Sequence, residues 1–418
     1  MKNICLYFQI HHPFSFQTFR YFDVGESKSW YDDSRIEREI YESATNYYLP
    51  TNDFLLRLIR QSKGKLKVSF YISGTSLDQF QIYSPKLLSS FRQLADTGLV
   101  EFTGGLASHS IASLADNKDE FKSQIKLYKE RIEYYFGQNP QVFVNSDLIF
   151  TNQIAQIVAE AGYQMILTNG AKKLLQWRSP NCLYASESQR RIGILFRNEG
   201  ISNEFASMLS NPNAMKKQEQ IDQLLTSFYA IRPEEPMVNI YLNYKTLGGS
   251  KMSAKQQFFR TFVFKIMKDK SFSFSRPSEL TEQFGPVAEI GTEEPVCWTG
   301  HSHSSYYPGN ELQKDAIKQL FKLEKQLTGI KNHDLQIGWQ YLQPTDHFHL
   351  MEENHPAYFD SGSNPGIYKS KYDAFINYMN ILEDFRQQLK VANKGIRKDR
   401  NAVQASVPFQ IKKRQRVF

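Results

Sequence analysis

Gln141-Val-Phe-Val-Asn-Ser-Asp147-Leu-Ile-Phe150 and Asn239-Ile-Tyr-Leu-Asn243-Tyr-Lys245-Thr-Leu-Gly-Gly249 are built alike. Each is a short apolar run that breaks into polar residues, the pattern of a buried parallel strand at its C-terminal end. In α/β barrels that end carries the chemistry. The two ends offer one short carboxylate, Asp147, and one amide, Asn243.

The same pattern extends on both sides. Strands are predicted at 2–10, 66–72, 99–103, 141–145, 163–168, 191–196 and 237–242. Between them helices are predicted at 34–48, 52–61, 84–97, 117–136, 151–161 and 214–229, several of them ending at Gly98, Gly137 or Gly162. Repeated strand–helix alternation with short linkers means a parallel sheet, and the pattern alone leaves a closed barrel and an open sheet both possible. From about 253 helices dominate, at 253–268, 309–328 and 371–393, joined by loops containing Pro277, Pro286, Pro295 and Pro308. The expected organisation is an α/β unit at 1–250, a helical region at 251–389 and a tail at 390–418.

Taken in order, further segments make the text interpretable: Phe8-Gln-Ile-His11-His12-Pro13, Gly98-Leu-Val-Glu101-Phe-Thr103 with His109-Ser110, Ile166-Leu-Thr-Asn-Gly170, Trp177-Arg-Ser-Pro-Asn181, Leu342-Gln-Pro-Thr-Asp346-His347-Phe348 and Tyr372-Asp-Ala-Phe-Ile-Asn-Tyr-Met379. Together with the two strand ends they resemble glycoside hydrolase family 57, its α-amylase branch, over nearly the whole chain to about residue 389. The resemblance implies an incomplete seven-stranded parallel (β/α) barrel followed by a helical region, and an α-glucan or related oligosaccharide as ligand. It also implies that Asp147 stands where the family typically has a Glu nucleophile and Asn243 where it has an Asp general acid. Lys245 replaces the Glu that follows that acid. The stretch Cys297-Trp298-Thr-Gly-His301-Ser-His303-Ser-Ser-Tyr-Tyr-Pro-Gly309-Asn310 keeps Trp298 and Gly309-Asn310 but lacks the family's acids and second Trp.

Composition narrows the setting. The chain has 31 Phe, 23 Tyr and 4 Trp, enough for a core and for rings that stack on pyranose faces. Cys5, Cys182 and Cys297 are far apart and odd in number, with no metal-type spacing, which excludes a disulfide framework and points to a reducing cytoplasm. No apolar run reaches the eighteen residues a membrane span needs, and the first ten residues read as a strand rather than a signal peptide. The net charge of +8 belongs to residues 390–418, which hold nine Lys or Arg and one acid; the rest balances at 42 against 42. That tail reads either as a solvated terminus or as an electrostatic contact with an acidic protein partner. With only Phe409 and Phe418 among its basic residues, stacking on nucleic acid bases has little support.

Retaining glycosidases hold two carboxyl groups about 5–5.5 Å apart, one as nucleophile and one as acid then base. Asp147 is one methylene shorter than Glu, a retreat of roughly 1.5 Å, and Asn243 has no proton to give the leaving oxygen. Ordinary α-glucan hydrolysis is expected to be nearly absent. The expected function is therefore glucan binding with a degenerate catalytic pair. One rival is an active retaining glycosidase or transglycosidase using Asp147 and a relocated acid; another is an interaction scaffold without catalysis. Asp346 reads as a carboxylate that holds sugar hydroxyls or orients His347, or as the replacement acid. Lys245 is placed to pair with Asp147, which would depress the carboxylate's pKa. His11, His12 and His109 read as hydroxyl-binding residues or as satisfied core histidines, Trp177 as a stacking ring or a core ring, and Glu101 as orienting sugar groups or pairing with a base. Trp298 is expected in the cleft. Neither a metal nor a cofactor is expected, since the histidines show no His-X-Asp or paired acid–His pattern.

Overall fold

Along the first strand the residues alternate, with Asn3, Cys5, Tyr7 and Gln9 on one face and Ile4, Leu6, Phe8 and Ile10 on the other. In the computed structural model, which describes residues 1–26, 28–211, 218–297, 309–327, 330–353 and 367–399, that alternation becomes an inside and an outside. Ten strands form one sheet: β1 (Lys2–Ile10), β2 (Val68–Ile72), β3 (Val100–Phe102), β4 (Val142–Val144), β5 (Met165–Asn169), β6 (Tyr184–Ser186), β7 (Gly193–Arg197), β8 (Met237–Asn243), β9 (Phe272–Phe274) and β10 (Glu289–Ile290). Seven run parallel in the order β3-β2-β1-β8-β7-β5-β4. The ladder thins to the single pair Arg197↔Asn239 between β7 and β8. It thins again to an isolated bridge, Gly104↔Phe143, where the chain leaving β3 meets β4. The result is an incomplete seven-stranded (β/α) barrel.

The outward set packs on helices. The Phe8 ring lies 5.5 Å from Phe70, 5.1 Å from Tyr244 and 6.1 Å from Phe259, the last on the helix Met252–Lys268. Phe102 stacks on Phe136, at the end of the helix Asp119–Phe136, with centroids 3.9 Å apart. The inward set is polar: in-register parallel neighbours share a face, so Tyr7, Ser69, Glu101 and Tyr241 stand level with one another, and Gln9 stands level with Tyr71 and Asn243. Tyr7 donates its hydroxyl hydrogen to the Asn239 side chain at 3.2 Å.

The chain divides into two compact units. The first comprises Met1–His12, Arg38–Ala107 and Asp119–Thr299, and the second Pro13–Glu37, Ser108–Lys118 and Gly300–Phe418. The helix Met252–Lys268 and the strands β9 and β10, which the sequence assigns to a helical region starting at 251, belong to the first unit. The second is organised around the helix Lys371–Asp399, which extends beyond the predicted end at 393. There the buried Asp384 carboxylate accepts from the Trp30 indole at 2.8 Å and the Gly25 amide at 2.7 Å, while Asn377 and Asn380 bind the Phe19 backbone.

Several elements depart from expectation for physical reasons. The helices expected at 34–48 and 52–61 form one run, because Asp33–Ser43 continues through a π-turn, Ala44–Tyr48, into Leu49–Gln61. The helix Gly74–Tyr83 is new. Its first seven residues are all buried, so it has no amphipathic stripe to read, and its start is marked only by the Ser73 cap, which accepts from Ser76 N–H. The helix Glu199–Ser210 also escaped the reading, as did β6, β9 and β10, which at two or three residues are too short to show a period.

Phe8 is fully buried in the outer aromatic layer. Phe8→Ala is expected to destabilise the fold by about 3–5 kcal/mol and Phe8→Leu by clearly less. Urea midpoints of the two variants check this, and an alanine cost below about 1 kcal/mol would show that the layer relaxes to fill the hole.

Candidate functional site

At the end of β4 the chain turns sharply. Asn145 accepts from Ser146 N–H at 2.9 Å and donates to the Ile149 carbonyl at 2.9 Å, which closes a one-turn loop. Inside that loop Asp147 has φ 49° and ψ 26°, and Leu148 has φ 53°. Two consecutive side-chain-bearing residues in the left-handed region cost on the order of 1–3 kcal/mol each. The surroundings hold them there. The Thr168 hydroxyl donates to the Leu148 carbonyl at 2.8 Å, and Phe150 exchanges both backbone bonds with Val296. The turn leaves the Asp147 carboxylate half-buried.

This carboxylate acts on the buried Tyr241 hydroxyl, whose pKa is pushed up by burial first and by Asp147 second, with Arg197 opposing. Tyr241 and Asn243 are two residues apart on β8 and so share its inner face. The electrostatic influence of Asp147 therefore reaches the face of β8 that also carries Asn243. Arg197 ends β7 and donates to Asn203 at 2.6 Å, and burial brings its guanidinium pKa down to about 10.

At the end of β8, Asn243 is exposed and caps the short helix Tyr244–Leu247, its side-chain oxygen accepting from Lys245 N–H at 3.0 Å. The Lys245 ammonium reaches over the faces of Tyr47 and Tyr48, 5.7 and 5.9 Å from the ring centroids. Burial lowers its pKa, and the carboxylate that acts on it is Glu39, where the sequence suggested Asp147. The two tyrosines come from the π-turn. Gly248 and Gly249 let that turn approach: a Cβ on Gly248 would sit 2.7 Å from Tyr47 Cα, and Gly249, at φ 71°, would place one 2.4 Å from the ring. Tyr48 stacks on Tyr244 at 6.1 Å, and its hydroxyl meets His12 Nε2 at 2.9 Å. His11 Nδ1 lies 2.8 Å from the Ser73 hydroxyl. The first unit therefore gathers His11, His12, Tyr47, Tyr48, Asn243 and Lys245 where β1 and β8 end.

The remaining candidates are placed differently. Glu101 is buried in the barrel, one Oε accepting from both the backbone N–H and the hydroxyl of Ser278. Burial raises its pKa to about 7. Trp177 is 84% exposed with Arg178 over its ring, which removes the core alternative. Trp298, with His301 and His303, lies outside the described residues. In the second unit His109 is buried at φ 53°, and its carbonyl accepts from Thr345 N–H. His347 is buried face to face on Phe16, centroids 3.9 Å apart, with Nε2 3.0 Å from the Tyr341 carbonyl. Asp346 is half-buried in the first turn of the helix Thr345–His349. Sequence reading missed Tyr47, Tyr48, Glu39, Tyr241 and Arg197. Only Arg197 had a signal, since Ile192–Phe196 breaks into Arg197-Asn198 as the other two strands break.

The sequence model of glycosyl hydrolase family 57 matches residues 5–293. A Methanocaldococcus jannaschii protein named "Putative alpha-amylase" is 28% identical over 380 residues, covering 86% of this chain and 79% of that protein. Among solved structures, the chain is similar to an α-amylase of Thermotoga maritima, with TM-score 0.62 and 11% identity over 94% of each chain. It is also similar to a family 57 type branching enzyme from the archaeon Pyrococcus horikoshii, with TM-score 0.64 and 12% identity over 96% of this chain and 94% of that one. At these identities the structural likeness is one of fold.

The raised pKa of Glu101 gives a signed test. A carboxyl whose folded pKa is about 7 against an ordinary 4.5 favours folding fully below pH 4.5 and loses that contribution as pH rises to 7. Glu101→Gln keeps an acceptor for Ser278 without the charge. Its stability relative to wild type should therefore improve by up to about 3 kcal/mol between pH 4.5 and 8. Urea unfolding at the two pH values measures this, and a pH-independent difference would refute it.

Proposed function

The chain belongs to glycosyl hydrolase family 57, a family of α-glucan enzymes, and from that premise we propose that it binds an α-glucan or related oligosaccharide with little or no hydrolysis. The observation that carries this reading is the state of Asn243. Its carboxamide oxygen accepts from Lys245 N–H, and the groups left to face a ligand are the amide N–H₂ and the oxygen's second lone pair, neither of which carries a proton acidic enough to give away. An amide nitrogen donates a hydrogen bond to a glycosidic oxygen but does not release a proton to it. General acid catalysis is worth about 10²–10⁴-fold, and the shorter Asp147 side chain adds a displacement whose cost is on the order of a hundredfold per ångström. The hydrogen-bonding capacity that recognises sugar hydroxyls is untouched by either change. His11 and Asn243 are the groups that would supply it, and the exposed Trp177 ring offers a face for stacking.

A second reading has one observation in its favour. The left-handed backbone at Asp147 and Leu148 is held by bonds from both sides, and such strain gathers at working groups. Under this reading Asp147 is a nucleophile and the acid comes from elsewhere.

An activated aryl α-glucoside separates the two, because its leaving group needs little protonation. Calorimetry with maltooligosaccharides is expected to show binding to wild type, with Asp147→Asn changing affinity only by the roughly 0.5–1.5 kcal/mol of one hydrogen bond. No turnover of the aryl substrate is expected from either protein. Cleavage by wild type that is lost in Asp147→Asn would establish Asp147 as a working nucleophile and end the binder reading.

Restoring both residues is a further check. Asp147→Glu combined with Asn243→Asp should give only weak hydrolysis of an α-glucan by reducing-sugar assay, because Lys245 and the Tyr47–Tyr48 turn remain. Family-level rates from the double variant would show that the two residues alone were limiting.

A further inference from the structure

The end of β8 carries a positive charge that the protein itself leaves uncompensated at contact distance. Lys245 is half-buried, and its ammonium rests over the Tyr47 and Tyr48 rings. Among the described residues no carboxylate lies within 4.0 Å of it, and none of its three N–H donors meets a protein acceptor. Glu39 acts on it only through longer-range attraction. The ring faces offset part of the cost of withdrawing an ammonium from water, but they satisfy no hydrogen bond.

The ammonium is also held in place. Tyr48 is fixed by stacking on Tyr244 and by its bond to His12, Gly248 and Gly249 admit the π-turn, and the Asn243 cap fixes the Lys245 backbone. Tyr48, whose ring the ammonium overlies, bonds His12, and β1 is in register with Asn243 through Gln9, so the ammonium stands at the same strand ends as the Asn243 amide.

We infer that Lys245, with the Asn243 amide, forms an anion-binding subsite, and that the saccharide this protein takes carries a carboxylate or a phosphate. This inference rests on the reading that the strand ends bind a saccharide, and it names the class of saccharide. An ammonium is a compact point charge suited to either anion.

The test is calorimetry at low salt with three oligosaccharides of equal length: a neutral maltooligosaccharide, one bearing a phosphate ester and one bearing a uronate. Wild type is expected to bind an anionic member about tenfold to a hundredfold more tightly than the neutral one, the range for a charge-assisted hydrogen bond. Lys245→Gln should abolish that preference, bringing the three affinities level, whereas Lys245→Arg should keep most of it. Preference for phosphate or for uronate supports the subsite and identifies the source of the anion. Equal affinity for all three in wild type overturns the subsite and leaves saccharide binding standing. No binding of any of the three overturns both. Should Lys245→Gln melt early, the Lys245→Arg variant and the salt dependence of the wild-type preference still decide, since a charge-based preference must shrink as salt is raised.

Discussion

The parallel pairing of β1 with β8 is the constraint on which the rest depends. Seven consecutive pairs run from Asn3↔Met237 to Gln9↔Asn243. On its other edge β1 meets β9 through Lys2–Ile4 and β2 through Tyr7–Ile10. Every residue of β1 is therefore fixed in height and in face by at least one neighbour. A slip of one residue would turn Asn239, Tyr241 and Asn243 outward into the aromatic layer around Phe8 and bring Ile240 and Leu242 inward. That exchange buries unpaired amides against phenylalanine, so the register that makes the fold stable also raises Asn243 to the strand end beside His11 and His12.

An inward face of this kind is expensive to build. Glu101 and Arg197 are both within a tenth of full burial, and their pKa values move toward the neutral form because burial disfavours charge. Ser278 and Asn203 supply part of the compensation. A lumen lined by hydroxyls and amides, with Glu101 and Arg197 among them, is poor material for a core, and the outer layer, dense with Phe and Tyr rings, carries the packing instead.

The strand–helix alternation through residue 242 was legible because each long strand has enough residues to show its apolar run and its polar break. The same rule located Asp147 and Asn243, and extended to Ile192–Phe196 it reaches Arg197. Other parts had no such signal. The π-turn at Ala44–Tyr48 adds a residue to a helix turn without any Pro or Gly to mark it, so Tyr47 and Tyr48 read as ordinary helix surface. Their approach to Lys245 depends on contacts some two hundred residues apart, which no local pattern encodes. The Lys245–Asp147 pair was the simplest guess from neighbouring opposite charges. It gave way because the turn after Asn243 carries Lys245 over the rings, where Glu39 is the carboxylate that acts on it.

Under the proposed reading, in which Asn243 stands at the family's acid position, its place explains how a family 57 chain can keep its architecture with an amide there. As a cap, the residue must offer one side-chain oxygen to the N–H two positions on, and Asp and Asn do this almost equally well. An Asp→Asn exchange at this site therefore leaves the turn, the Tyr244–Asn52 hydrogen bond and the stacking of Tyr48 on Tyr244 in place. What changes is the second half of the side chain, from an oxygen able to carry a proton to a nitrogen able only to share one. An amide also leaves the local charge more positive than a carboxylate would, and Lys245 two residues later adds to it. Folding constrains the oxygen that faces the backbone and leaves the other group of the carboxamide unconstrained. The two groups are opposite ends of one side chain, which is why a stable fold here says nothing by itself about catalysis.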